Sequence, residues 1–398
     1  METYIYSRYP VLDEREAQRR RPTHALIDLQ ALRRNYRELS ALAMGKSIMA
    51  VVKANAYGHG LVESARVLVD EGIAYFGVGF LEEGIELRRA GITAPILVLG
   101  GAVGYQAALF LEYDLELTVS SVALARRVAQ EVRRPRRRIK RARVHLKIDT
   151  GMGRIGVNWS NALPFIEEAL SLKELEVVGI YSHFAAADEE DSTFTRTQLA
   201  RFTHFLHQLR QLKKRLPVCH IANSGALMQY PDSLFDMVRL GISLYGCRPA
   251  DTMSLSIPLE PVLSLVSEVV FVKRVPEGTP VSYGCTWKAP KETTIATVPI
   301  GYGDGYPRAL SNKAQVLIRG QRLPVVGLVC MDQLMVDCGD LRVEFGDPVV
   351  LIGRQGEDRI SAEEVARWLD TIPYEVTTQI NARVPRVFLD GENVAKLR

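Results

Sequence analysis

Short apolar runs and segments of helical period alternate through the first two-thirds of the chain. Eight runs predict strands: Ile48–Val52, Tyr75–Val78, Ile96–Leu99, Leu115–Val119, Val144–Ile148, Val177–Tyr181, Val218–Ala222 and Met237–Ser243. Most are rich in β-branched residues and are bounded by Gly, Pro, Asn or Asp, which favour turns. Between them lie Leu61–Glu71, Leu81–Ala90, Ser121–Val132, Ser160–Leu172 and Thr195–Leu212. Their apolar positions recur at intervals of three and four, which predicts helices. Eight strands with intervening helices over about 210 residues match an α/β fold, the (β/α)8 barrel of the TIM type. A doubly wound sheet is the alternative, because strand order is not visible in one sequence. An extra strand, Ala25–Leu29, and a helix, Leu32–Ala41, precede the eight.

The pattern changes after Pro249. Val262–Val272, Thr293–Ile300, Ala314–Ile318, Leu323–Val329, Leu334–Cys338 and Pro348–Ile352 follow one another with few helices between them. Such a succession predicts an antiparallel sheet or barrel. One helix is expected at Ser361–Leu369, with Ser361 as N-cap and Glu364 as the acid of a capping box. The chain therefore divides into an N-terminal extension (1–21), a barrel (22–255) and a mainly-β C-terminal domain (256–398), the boundary falling in DTMSLSIPLEP.

Composition narrows the picture. A chain of 398 residues, 47% hydrophobic and 24% charged, can bury two or three ordinary cores and is neither disordered, collagenous nor a small disulfide scaffold. Fifty basic residues against 46 acidic ones leave a net charge of +4. Arg133–Arg143 holds eight basic residues in eleven, so the remainder of the chain is net acidic. That run could bind nucleic acid, but no aromatic interleaving accompanies it, and a solvated loop is the reading preferred here. Cys219, Cys247, Cys285, Cys330 and Cys338 contain no C-x-x-C pair, so no metal site is expected, and an odd number fits a reducing compartment. Residues 1–23 lack the apolar core of a secretory signal. The longest apolar stretch, near 92–104, is too short to span a bilayer. A cytoplasmic protein without a membrane partner is expected.

The candidate chemistry gathers at the predicted strand ends, where barrel enzymes build their sites. Lys53 ends the first barrel strand in Val51-Val52-Lys53-Ala54-Asn55-Ala56-Tyr57-Gly58-His59-Gly60. A lysine there is partly desolvated, which suits it to Schiff-base chemistry, although a lone strand-end lysine is more often simply solvated. Arg154 follows strand five, His183 strand six, and Asn223 and Ser224 strand seven, while Arg239-Leu240-Gly241-Ile242 lies in or after strand eight. The Ser224 hydroxyl and the N–H groups of Gly241 and Ile242 would form a phosphate cradle. A lysine facing such a cradle points to pyridoxal 5'-phosphate. Gly151-Met152-Gly153-Arg154-Ile155-Gly156 is formally G-x-G-x-x-G. Its mid-chain position after Asp149-Thr150 reads as a loop presenting Arg154 rather than a dinucleotide site.

Several segments in order resemble the alanine racemases: Val51–Gly60, Lys147–Gly156, Ser182–Asp188, Met237–Gly246, Ser282–Thr286, Gly301–Arg308, Cys330–Gln333 and Ile372–Arg386. The resemblance covers the chain from about residue 22 and implies interconversion of L- and D-alanine, supplying D-alanine for cell-wall peptidoglycan. It implies that Lys53 holds pyridoxal phosphate and acts as one base. Tyr283 would be the second base, on the opposite face of the substrate Cα, and would come from the partner subunit of a homodimer with shared sites. Arg239 would face the pyridine nitrogen. Arg154 would contact the phenolic oxygen and the substrate carboxylate, and a carbamylated Lys147 would orient it. His183 would pack near Tyr283 and Arg239. Tyr57, Ser224, Gly241, Ile242 and Tyr374 would hold the phosphate. Met331 and Asp332 would line the substrate site, and Tyr302 and Arg308 the entrance. Cys285, between Gly284 and Thr286, would lie beside the tyrosine, and residues 1–21 extend beyond the usual start. Alternatives are a racemase of serine or other small amino acids on this fold, a decarboxylase on the same barrel, and a non-catalytic pyridoxal-phosphate carrier. A carrier of that kind would lack the second domain and its tyrosine.

Overall fold

A computed structural model describes residues 21–134, 141–212, 216–250, 253 and 257–391. The N-terminal extension up to residue 20, the centre of the basic run (135–140) and the expected boundary near 255 lie outside the described residues.

The barrel strands run in sequence order around one sheet. They are Ser47–Val51, Tyr75–Val78, Ile96–Val98, Glu116–Val119, Ala142–Asp149, Leu175–Tyr181, Val218–His220 and Met237–Leu240. The last pairs in parallel with the first, Met237 opposite Ser47 and Leu240 opposite Ala50, which closes the sheet and excludes the doubly wound order. Between the seventh and eighth strands the backbone is stitched by Asp236 N–H to the Cys219 carbonyl (3.1 Å) and Arg239 N–H to the Ala222 carbonyl (3.0 Å). Side chains alternate along each strand, so residues two apart share a face. Glu116 and Thr118, His145 and Lys147, and Met237 and Arg239 are such pairs, and all six are buried.

Helices cover the outside. Leu29–Leu42 starts at Asp28, whose carboxylate accepts from Ala31 N–H at 2.8 Å. The expected helices appear as Leu61–Asp70, Leu81–Arg89, Val122–Val132, Ala162–Ser171 and Thr193–Leu212, and Ala107–Glu112 and Ser224–Gln229 add to them.

The second domain centres on a twisted sheet ordered Gln321–Pro324, Gln315–Ile318, Pro348–Gln355, Leu263–Glu268, His24–Asp28 and Arg386–Leu389. The leading strand, placed with the barrel by chain order, therefore belongs to this sheet. It pairs antiparallel with Leu263–Glu268 and in parallel with Arg386–Leu389. Buried on both faces between two neighbours, it bonds more backbone here than it could outside an already closed barrel. The single run expected at Val262–Val272 is two strands, Leu263–Glu268 and Phe271–Val275. The second joins Thr293–Val298 and Leu334–Gly339 in a separate three-stranded sheet. Ser361 caps the helix Ala362–Leu369 by accepting from Glu364 N–H at 3.2 Å. The capping box is incomplete, because the Glu364 carboxylate turns to Arg322 (2.5 Å), where a charge-assisted bond outweighs one to a neutral N–H. No helix of the described residues is long and apolar enough to cross a membrane.

Candidate active site

A cavity of about 160 Å³ opens at the C-terminal ends of the barrel strands. Among its lining residues are Lys53, Tyr57, Lys147, Arg154, His183, Ser224, Arg239, Gly241, Ile242 and Tyr374, brought together from five strand ends and the chain's tail.

Lys53 stands where the first strand gives way to an unusual turn. Ala54, Asn55, Ala56 and Tyr57 all take left-handed backbone angles, with φ from 52° to 56°. Such a run strains L-residues, so the surroundings must hold it. Glu83 does so at the start: one carboxylate oxygen accepts from Ala54 N–H (2.7 Å), the other from Gly79 (2.7 Å) and Phe80 (3.2 Å). Asn55 accepts from Leu61 N–H at 2.8 Å, and Arg386, wholly buried, donates to the Gly58 carbonyl at 3.1 Å. The turn aims Lys53 into the cavity. Desolvation, and then the Arg154 guanidinium, lower the lysine pKa, with Glu83 opposing them. A larger fraction of neutral, nucleophilic amine follows.

Other lining residues could hold an anion. Tyr57 is buried against Tyr245 (5.1 Å between ring centroids) and Tyr374 (5.8 Å). Gly241 N–H lies 3.0 Å from Ser224 Oγ, and a Cβ on Gly241 would come within 2.7 Å of Tyr57 Oη. The Gly241 N–H donates to the Ser224 hydroxyl oxygen, and only glycine there leaves the Tyr57 hydroxyl its place. An amine and the hydroxyls of Tyr57, Ser224 and Tyr374 lining one cavity fit a cofactor that carries both an aldehyde and a phosphate.

Arg239, 3% exposed, lines the same cavity. Its NH2 donates to the carbonyls of Ser182 (2.8 Å) and Ile221 (2.9 Å) and to His183 Nδ1 (3.0 Å), and its NH1 to His220 Nδ1 (2.8 Å). Burial pulls its pKa down to about 10, which still leaves it charged at neutral pH. Burial, then Arg239 and the neighbouring lysines and arginine, hold His183 well below the usual histidine value, so its ring is neutral. Lys147 is buried with its nitrogen 4.3 Å from the Tyr181 ring centroid. Desolvation, Arg239 and Arg154 depress it strongly. Arg154 sits at the mouth on the glycine-rich loop, which Asp149 folds by accepting from Gly151 (2.9 Å) and Gly153 (3.1 Å). Gly151, Gly153 and Gly156 all have positive φ, so these glycines serve a turn and not a dinucleotide.

Five expected site residues do not line this cavity. Tyr283, 71% exposed, projects from the second domain on a turn in which Ser282, Gly284 and Cys285 have positive φ. Met331 is exposed, its carbonyl accepting from Gly303 N–H at 2.8 Å, and Asp332 pairs with Arg383 at 2.6 Å. Tyr302 and Arg308 begin two short 3-10 turns of the same domain. His183 accordingly meets Arg239 but not Tyr283 within one chain. Sequence reasoning missed Glu83, Tyr181, His220, His145 and Glu116. The last three stand as single polar residues within apolar runs, Leu115-Glu116-Leu117, Val144-His145-Leu146 and Cys219-His220-Ile221. In strands buried on both faces that pattern marks an inward polar group.

In the basic run, Arg133 pairs with Glu174 (2.7 Å), Arg134 with Glu131 (3.0 Å) and Arg143 with Glu116.

Fold and cavity together define a two-domain barrel enzyme whose cavity holds a lysine of lowered pKa. Comparison with known proteins makes this specific. Residues 27–249 match the model of the alanine racemase N-terminal domain and residues 262–388 that of the alanine racemase C-terminal domain. The chain is 46% identical over 374 residues to an alanine racemase of Symbiobacterium thermophilum, covering 94% of this chain and 98% of that protein. Among solved structures it resembles the alanine racemase of Clostridium difficile 630 (TM-score 0.87, 38% identity, 93% of this chain and 96% of that one). It equally resembles that of Bacillus anthracis solved with bound L-Ala-P (TM-score 0.87, 37% identity, 94% and 96%). The chain belongs to the alanine racemase family.

Proposed function

We propose that the chain interconverts L- and D-alanine with pyridoxal 5'-phosphate bound in the barrel cavity, in a cytoplasmic role that supplies D-alanine for peptidoglycan. The observation that carries the reading is Lys53, its pKa lowered, lining one cavity with Tyr57, Ser224 and Gly241. Pyridoxal phosphate, when bound, supplies an electron sink that acidifies the Cα–H of an attached amino acid. Tyr57, Ser224, Gly241, Ile242 and Tyr374 would hold its phosphate, and Lys53 its carbonyl carbon.

Lys53 Nζ moves the proton on one face of Cα. Racemisation needs a second group on the other face, and Tyr283 Oη fills that role. Tyr283 is exposed and outside its own chain's cavity, so it serves the site of a partner copy in a homodimer. The partner's Met331 and Asp332 would then flank the substrate, and its Tyr302 and Arg308 the approach. Arg239 only donates, so a ring nitrogen facing it keeps its lone pair. The sink that the cofactor supplies would be weaker for it, which would favour return of the proton over other outcomes. Lys147 is neutral enough to add to carbon dioxide: its nitrogen bonds to the carbon, loses a proton and becomes a carbamate. That anion would orient Arg154 toward the substrate carboxylate.

The test is solvent-deuterium exchange at Cα of both alanine enantiomers. Wild-type protein should wash deuterium into each, and Lys53→Ala should lose exchange in both. Purified protein without a cofactor absorption band, and without activity on added pyridoxal phosphate, would overturn the reading.

A further inference from the structure

A polar line runs from the floor of the cavity through the apolar interior of the barrel. Arg239 NH1 donates to His220 Nδ1 at 2.8 Å. His220 Nε2 lies 3.0 Å from His145 Nδ1, and His145 Nε2 lies 2.9 Å from Glu116 Oε2. Tyr75 donates a second hydrogen bond to the same oxygen at 2.7 Å, and Arg143 forms an ion pair with the other. His145 and His220 are fully buried and Glu116 is 1% exposed. The line is built for: a Cβ on Gly179 would lie 2.0 Å from His145 Nδ1, so only glycine leaves the ring its place. His220 stacks on Tyr181 with 4.9 Å between ring centroids.

The direction of every bond follows from its ends. A guanidinium has donors only, so His220 Nδ1 must accept. Neutral His220 then carries its proton on Nε2 and donates to His145 Nδ1. His145 Nδ1 therefore accepts and carries no proton. Its proton sits on Nε2 and needs an acceptor, which the ionised Glu116 supplies. Running the line the other way would set an imidazole N–H against a guanidinium N–H. Among the described residues no carboxylate pairs directly with Arg239. Its negative counterpart lies two rings away and acts through aligned N–H dipoles.

We infer that Glu116 fixes the tautomer of His145, leaving its Nδ1 free to accept from His220, and so holds His220 and through it Arg239 oriented toward the cofactor cavity. Glu116 and His145 are positioning residues, touching neither substrate nor cofactor. Only the catalytic consequence rests on the reading of Arg239 given above; the tautomers do not.

The experiment is nitrogen NMR of the full-length protein labelled with 15N-histidine. In the wild type, His145 and His220 should each show an unprotonated Nδ1 and a protonated Nε2 near neutral pH. A protonated Nδ1 on either ring overturns the inference without any variant being made. In Glu116→Gln the amide can donate as well as accept, so the single direction is lost. His145 should then lose its pure Nε2–H pattern. kcat should fall on the order of tenfold, with KM held within about twofold. Gly179→Ala, which displaces His145 without altering any charge, should reproduce both effects. Wild-type tautomers in a folded Glu116→Gln overturn the role of Glu116. Shifted tautomers with unchanged kcat overturn the role of Arg239 instead, which separates the two failures.

Discussion

The residues that carry the site share one property: each is a polar group that burial would penalise unless its surroundings satisfied it. Arg239 is the extreme case, a charge at the centre of a barrel with every described hydrogen bond directed to a carbonyl or an imidazole. Its chemistry follows from what a guanidinium cannot do, which is accept. Replacing Arg239→Glu supplies a group that can share a proton with a ring nitrogen. The variant should divert turnovers into transamination, read as pyruvate formed per racemisation event. A ratio unchanged from wild type would refute the role assigned to Arg239. Lys53, Arg154, His183 and Arg239 were legible because each ends or follows a predicted strand. Glu83 was not: it lies on a helix, and its task of holding Ala54, Gly79 and Phe80 N–H groups depends on a turn geometry that no sequence pattern announces.

At the scale of elements, the left-handed turn after the first barrel strand is the piece on which the site depends. It is clamped by the helix Pro373–Gln379, which the hydrophobic pattern did not suggest. Gly58, at φ 88°, lies so close that a Cβ would meet the Thr377 carbonyl oxygen at 2.2 Å. Both atoms belong to backbone and neither can swing away. Gly58→Ala should therefore destabilise by about 2–4 kcal/mol and loosen cofactor binding, measured by thermal unfolding and by titration with pyridoxal phosphate. Gly72→Ala, at φ 82° with open space around it, isolates the backbone strain alone and should cost about 1 kcal/mol. A loss no larger in Gly58→Ala than in Gly72→Ala would show that the contact is unimportant. The barrel strands were readable because strands buried on both faces are continuous apolar runs. Short elements such as Ala107–Glu112 escaped, since six residues are too few to display a period.

For the whole molecule, the separation of Lys53 from Tyr283 makes a statement about assembly. If each site takes Lys53 from one subunit and Tyr283 from the other, two dead variants should rescue each other. A mixed dimer of Lys53→Ala and Tyr283→Phe has one site with both groups intact. Unfolding and reassembling the two together should restore up to roughly a quarter of the wild-type sites, whereas either alone stays inactive. No rescue, with mixed dimers verified by mass, would exclude shared sites.

By itself the amino-acid sequence determined the number of barrel strands, the switch to a β domain, and which strand ends carry chemistry. Those are properties of period, composition and chain order, which local physics enforces. Only the tertiary structure decided that the first strand leaves the barrel for the second domain's sheet, that Gly241 comes close against the Tyr57 hydroxyl, and that Glu116, His145 and His220 align behind Arg239. Each of these joins residues far apart in the chain. Their cost or benefit is set by burial and by the partner that meets them, and neither exists until the barrel has closed.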